Sequence, residues 1–117
     1  MIIDTDLALQ SLLPKAEFVV VNDTEIIWKS DDITQPSDSA IAAEKTRLIN
    51  AEPMRLLRIE RNARLSACDW RACSDVTLSD AWKTYRQALR DLPASASPKL
   101  DSYGELDLSS VTFPTEP

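Results

Sequence analysis

The amino-acid sequence predicts an α+β fold, and three observations carry that prediction. Two short runs of β-branched and aromatic residues, "EFVVV" (17–21) and "EIIWK" (25–29), flank the turn signal "NDT" and read as a β-hairpin. A long stretch from about 38 to 68 has apolar residues recurring at helical intervals. A second helical stretch places Leu78, Trp82, Tyr85, Leu89 and Leu92 at steps of four, three, four and three, the clearest periodicity in the chain. The 117 residues suffice for one domain, and 44% hydrophobic with 27% charged side chains is ordinary globular usage, so a core can form without disulfide staples.

The elements follow in order. "DTDLALQSLL" (4–13) predicts a short helix, with Asp4 or Thr5 as its cap and Pro14 as its stop; Leu9, Leu12 and Leu13 share its apolar face. The hairpin comes next. Its apolar runs are nearly continuous, so either both faces are covered or one awaits a partner. "SDDITQPSDSA" (30–40) is a polar linker that ends where Ser37 or Asp38 can cap a helix. Pro53 interrupts the long helix and predicts a kink, or a new helix with Pro53 in its first turn. Ala42, Ile49, Leu56 and Ala63 fall seven apart beside Ile41 and Leu48, but Lys45 and Glu52 break the companion row. The helix is therefore expected to pack on a neighbour or a partner rather than in a strong coiled coil.

Residues 69–76 are a connection carrying Trp70. The next helix starts near Thr77 or Ser79, where Thr77 and Asp80 have capping-box spacing, and Pro93 stops it. "ASASP" (94–98) is a small-residue linker. Gly104 permits a positive-φ turn, so 99–108 fits a small hairpin, and "VTF" (111–113) fits an edge strand. The expected organisation is a helix plus hairpin over 1–35, a helical hairpin over 36–93, and a linker with a β segment or extended tail over 94–117.

Composition removes several function classes. A formal charge of −6 repels phosphate backbones and anionic lipid, so neither nucleic acid nor membrane is an expected partner. No apolar run approaches the roughly 20 residues of a membrane span. "MIIDTDLALQSLL" has no basic residue ahead of its apolar part, unlike a secretory signal, so a cytoplasmic location with Cys68 and Cys73 reduced is expected. The absence of histidine excludes Ser–His and Cys–His nucleophiles, and Gly104, the one glycine, cannot make a phosphate-cradling loop. Two cysteines without histidine cannot complete a zinc site, and Asp31, Asp32 and Asp38 lack the glycine a calcium loop requires. No cofactor, no metal and no enzymatic activity are expected. A glycan-degrading pair of acids is the remaining catalytic alternative, and it lacks a pocket-forming scaffold.

Arg55, Arg58, Arg61 and Arg64 recur at steps of three, with Glu52 and Glu60 interleaved. They read as surface ion pairs, or as anchors in which Arg58 or Arg61 forks onto Asp69, Asp75 or Asp91. Trp82 and Tyr85 sit on the apolar stripe and are expected in a core with Leu57, Leu65, Leu78, Leu89 and Leu92. Trp70 precedes the stripe and is expected as a contact.

The strings "LRIERNARLSACDW", "DVTLSDAWKTYRQALRDLP" and the terminal "VTFPTEP" resemble the tail assembly chaperone family of tailed bacteriophages. The shared pattern is an arginine-rich helix with Arg61-Asn62, then Asp69-Trp70, then Trp82 and "YRQALRDLP" (85–93), then Phe113-Pro114. Residues 54–93 match well and the C-terminus loosely; Phe113 stands where the family often has tryptophan, and "RACSDVT" departs from the usual linker. The N-terminal part is similar to versions from viruses of cyanobacteria. The resemblance implies a non-enzymatic role in tail or tail-fibre assembly: binding the distal region of a trimeric fibre in the host cytoplasm, with retention in the virion tail in some relatives. The alternative is a purely structural baseplate or fibre-tip component without chaperone activity. On either reading the expected contacts are Val19, Val21, Ile27 and Trp28 of the hairpin, Trp70, and Leu106, Leu108 and Phe113 of the C-terminal segment.

Overall fold

The computed structural model describes residues 2–117. The elements are α1 (Thr5–Leu12), β1 (Phe18–Val21), β2 (Glu25–Trp28), α2 (Asp38–Cys68), a first 3-10 turn (Asp69–Ala72), α3 (Asp80–Ser95) and a second 3-10 turn (Leu108–Ser110). This is an α+β arrangement with a short N-terminal helix, a two-stranded antiparallel hairpin and a long helix packed on another. The chain divides into two compact units, Met1–Ala51 and Glu52–Pro117.

In the first unit two carboxylates serve the start of α1. The Asp4 side chain accepts the Leu7 N–H at 2.9 Å, and Asp23, from the hairpin turn, accepts the Thr5 N–H at 2.7 Å. Both satisfy donors that a helix N-terminus leaves free, and both put negative charge on the positive end of the helix dipole. The Thr5 hydroxyl also donates to the Asp23 carbonyl at 2.9 Å, so the turn is tied to the helix twice. The hairpin pairs Phe18 with Trp28, Val19 with Ile27, Val20 with Ile26 and Val21 with Glu25. Asn22 and Asp23 close it at φ 52° and 59°, and the Thr24 N–H donates to the Val21 carbonyl at 3.2 Å. Positive φ at both central residues is the type I′ pattern, and Asn and Asp tolerate it best among residues with a side chain.

Alternation then decides the faces. Phe18, Val20, Ile26 and Trp28 pack on Ala8, Leu9 and Ile41. The Phe18 and Trp28 rings stack with centroids 6.0 Å apart, and the Trp28 indole N–H donates to the Ile33 carbonyl at 2.8 Å. Ser37 caps α2 by accepting the Ala40 N–H at 3.1 Å. Glu44 is buried but paired: Arg47 Nε reaches both its oxygens at 3.0 Å, and the Ser11 hydroxyl donates at 2.8 Å.

These bonds set a pH dependence. The Thr5 N–H holds the Asp23 carboxyl below the usual carboxylate range, and the bonds from Arg47 do the same for Glu44. A carboxyl depressed on folding contributes fully above its unfolded value of about 4 and loses that contribution as pH falls through the lower folded value. The melting temperature is therefore expected to fall below about pH 4. Asp23→Ala should lower it at neutral pH and flatten this acid slope, whereas Asp23→Asn, which keeps an acceptor for Thr5, should cost less at neutral pH. Thermal melts across that range check both.

In the second unit α2 is continuous through Pro53, and buried Glu52 accepts Arg55 Nε at 2.8 Å. Leu65 and Cys68 near the end of α2 pack against Trp82, Tyr85 and Leu89 of α3, and Phe113 joins them from the C-terminal segment. Ser79, rather than a Thr77–Asp80 box, caps α3: its hydroxyl accepts the Trp82 N–H at 3.3 Å. The helix does not stop at Pro93 as expected. It runs to Ser95, because a proline in the last turn removes a single donor and keeps a helical φ. Residues 99–107 close a loop through one antiparallel bridge, Leu100 to Leu106, with Gly104 at φ 79°. Val111, expected to open an edge strand, is extended and buried, and residues 111–113 form no ladder among the described residues.

Candidate functional site

Of the residues expected in the core, Leu57, Tyr85 and Leu89 are buried, while Leu65, Leu78, Trp82 and Leu92 are half-buried. Leu78 lies ahead of α3 rather than on it, so the apolar stripe begins outside the helix. Trp82 meets Tyr85 edge to face, centroids 5.5 Å apart, and sits at the margin of the cluster. Burial raises the Tyr85 phenol above its usual range.

The residues expected to meet a partner fall into two groups. Val19, Val21 and Ile27 are exposed, 41%, 37% and 45%, on the outer face of the hairpin, opposite the packed Phe18, Val20, Ile26 and Trp28. A two-stranded sheet with valine and isoleucine on its solvent side has apolar surface that its own unit does not cover, and as a hairpin it also has two open edges. Trp28 belongs to the inner face: register with Phe18 turns it inward, and its indole N–H is already bonded. In the second unit Trp70 is 54% exposed and Leu108 is exposed, whereas Leu106 is half-buried and Phe113 packs into the cluster beneath Arg64, whose guanidinium carbon lies 3.9 Å from the ring centroid. Phe113 thus holds the C-terminal segment to α2.

The arginine anchoring differs from expectation. Arg86, on α3, is the residue that reaches Asp69, at 2.8 Å, and it also donates to the Leu65 carbonyl at 3.1 Å and to Cys68 Sγ at 3.0 Å. Bonding to Asp69 raises the Arg86 pKa further. Arg61 instead bonds its neighbour Asn62, and Arg64 pairs with Glu60. The reason is geometric: α3 brings Arg86 to the end of α2, where Leu65, Cys68 and Asp69 each present an acceptor. A sequence signal existed, since α2 has no basic residue in its last turn. Arg71 was also not anticipated; its guanidinium carbon lies 4.4 Å from the Trp70 ring centroid and 4.0 Å from that of Trp82.

The cleft of about 410 Å³ beside α1 and β1 is lined by Asp4, Asp6 and Asp23. All three acids are engaged: Asp4 and Asp23 accept α1 backbone donors, and Asp6 accepts the Gln10 side chain. Among the described residues no group of three or more His, Cys, Asp or Glu side chains could hold a metal ion, and no helix is long and apolar enough to cross a membrane. Cys68 is buried and Cys73 exposed, both as free thiols.

The second unit is a pair of helices closed over an aromatic cluster, with Arg86 anchoring α3 to the end of α2. The family model described as phage tail assembly chaperone protein matches residues 54–117, more than half of the chain and nearly all of the second unit. The chain belongs to the phage tail assembly chaperone family, and its role is in phage tail assembly. No curated protein and no solved structure matches it.

Proposed function

We propose that the chain acts by binding, without catalysis, to the distal region of a tail fibre in the host cytoplasm, keeping apolar fibre surface covered while the fibre trimerises. The observation that carries this reading is the outward hairpin face of Val19, Val21 and Ile27, apolar and open beside two unpaired strand edges. Such a face can cover a partner's apolar surface or add a strand to its sheet. The family match begins after residue 51, so this hairpin lies outside the part shared with the family and is the natural place for partner choice. Residues 36–93 supply the scaffold in the three-part division 1–35, 36–93 and 94–117, with Trp70, Leu106 and Leu108 as further contacts. A cyanobacterial virus as source, and retention in the virion tail, complete the proposal.

Co-expression with the fibre protein encoded beside this chain tests it. The fibre should be soluble and trimeric with the chain present and should aggregate without it; equal solubility in both cases overturns the chaperone reading. Val19→Lys with Ile27→Glu places opposite charges on directly paired strand positions and should shift the melting temperature by only about a few degrees. The same pair should abolish fibre solubilisation. Mass spectrometry of purified virions then separates a chain retained in the tail from one that leaves after assembly.

A further inference from the structure

We infer that Trp70 and Arg71 form a docking point for a side-chain carboxylate of the partner, flanked by an apolar side chain. The inference rests on the binding role proposed above only for the partner's identity; the chemistry is local.

The argument starts from what Arg71 lacks. The chain carries 19 acidic against 13 basic residues, so acids are in excess, yet among the described residues Arg71 forms no ion pair and donates no hydrogen bond. Asp69, two residues away, is committed to Arg86. Arg71 is held in place instead by aromatic faces, 4.4 Å from the Trp70 ring and 4.0 Å from the Trp82 ring. Stacking on indole restrains the guanidinium without using its donors. What remains available is the edge of N–H groups, which matches a carboxylate in bidentate geometry. Because the stack already restrains the long side chain, less conformational freedom is lost on binding.

Trp70 supplies the second half. It stands 54% exposed on the 3-10 turn after α2, beside Arg71 and on the opposite side of it in sequence from exposed Val76. Tryptophan and arginine are the residues most enriched where binding energy concentrates. An indole face next to a fixed cation selects a carboxylate whose neighbour is apolar. The chain's net charge of −6 gives an acidic partner no general attraction, so recognition depends on this local geometry rather than on long-range steering.

The test has two arms on the full chain. In the first, the isotope-labelled protein is titrated with acetyl-Asp-Leu-amide and with acetyl-Asn-Leu-amide while the Trp70 indole N–H and Arg71 Nε–H signals are followed. The aspartyl peptide should shift both signals with millimolar affinity, the asparaginyl peptide should not, and Arg71→Gln should abolish the response. Indistinguishable peptides, or an Arg71→Gln protein that still responds, overturn the inference whatever the fibre does. In the second arm, binding to the neighbouring fibre protein is measured for wild type, Arg71→Gln, Arg71→Lys and Trp70→Ala. Arg71→Gln and Trp70→Ala should each weaken binding roughly tenfold, and Arg71→Lys, which keeps charge and loses the fork, should fall between. Wild-type affinity in the Arg71→Gln protein also overturns the inference. Peptide binding without any fibre binding leaves the carboxylate site standing and sinks the fibre reading alone.

Discussion

Leu89→Ala is expected to destabilise the second unit by about 3 kcal/mol, the largest effect of any single truncation considered for this chain. Leu89 is fully buried between Cys68 and Tyr85, in the cluster where α3 meets α2. Removing its three terminal carbons loses their transfer energy and leaves a cavity bounded by two helices that cannot easily collapse. Trp82→Ala removes more atoms, and from the periodicity alone it should unfold the protein. Its half-buried position at the cluster margin lowers that expectation to about 2 kcal/mol, because part of the indole is already in water. Urea unfolding of both variants ranks them. A greater loss for Trp82→Ala than for Leu89→Ala would show that the indole, not the leucine, is the centre of the cluster.

Arg86→Met should cost about 2 kcal/mol despite keeping the length of the side chain. The Arg86–Asp69 ion pair contributes little of this, since Asp69 is 61% exposed and exposed pairs are well screened. The larger part is the part-buried bond at 3.1 Å to the Leu65 carbonyl, whose other side-chain donor is the weaker Cys68 thiol at 3.4 Å. Cys68 Sγ also loses its donor. Arg86→Lys is the informative companion: one ammonium cannot reach the carbonyl, the thiol and the carboxylate together, so it should recover less than half of the loss. Asp69→Asn should cost well under 1 kcal/mol if the carbonyl is the main term. Equal losses for Asp69→Asn and Arg86→Met would instead assign the stabilisation to the ion pair.

The local elements were legible because each has a local cause. Asp4 caps α1, "NDT" turns the hairpin, Ser37 and Ser79 start the helices, and apolar spacing marks the helical faces. Boundaries that depend on neighbours were less legible. Pro93 reads as a stop, yet α3 continues to Ser95, because a single missing donor near a helix end is tolerated. Thr77–Asp80 has the spacing of a box, but Ser79 takes the cap. The anchoring arginine sits on α3 rather than α2 for the same reason: Arg58, Arg61 and Arg86 differ little in sequence, and only the packed helices bring Arg86 to the end of α2.

The candidate surfaces divide the same way. The alternation of Val19, Val21 and Ile27 with Phe18, Val20, Ile26 and Trp28 was readable, since successive strand residues must face opposite sides. Which side is open was not, because that depends on where Ala8, Leu9 and Ile41 lie in space; their position puts Trp28 inside and Val19 outside. Phe113 likewise moves from expected contact to clamp, held under Arg64. Short-range geometry and residue identity alone set α1, the hairpin, the starts of α2 and α3, and the literal string that carries the family. Tertiary structure alone decided which apolar face stays open, which arginine is consumed as an anchor, and that Arg71 rests on two indoles with its donors free. Those outcomes come from contacts between different elements of the fold, such as Arg86 with Leu65 and Arg71 with Trp82, and no single element's pattern encodes the winner.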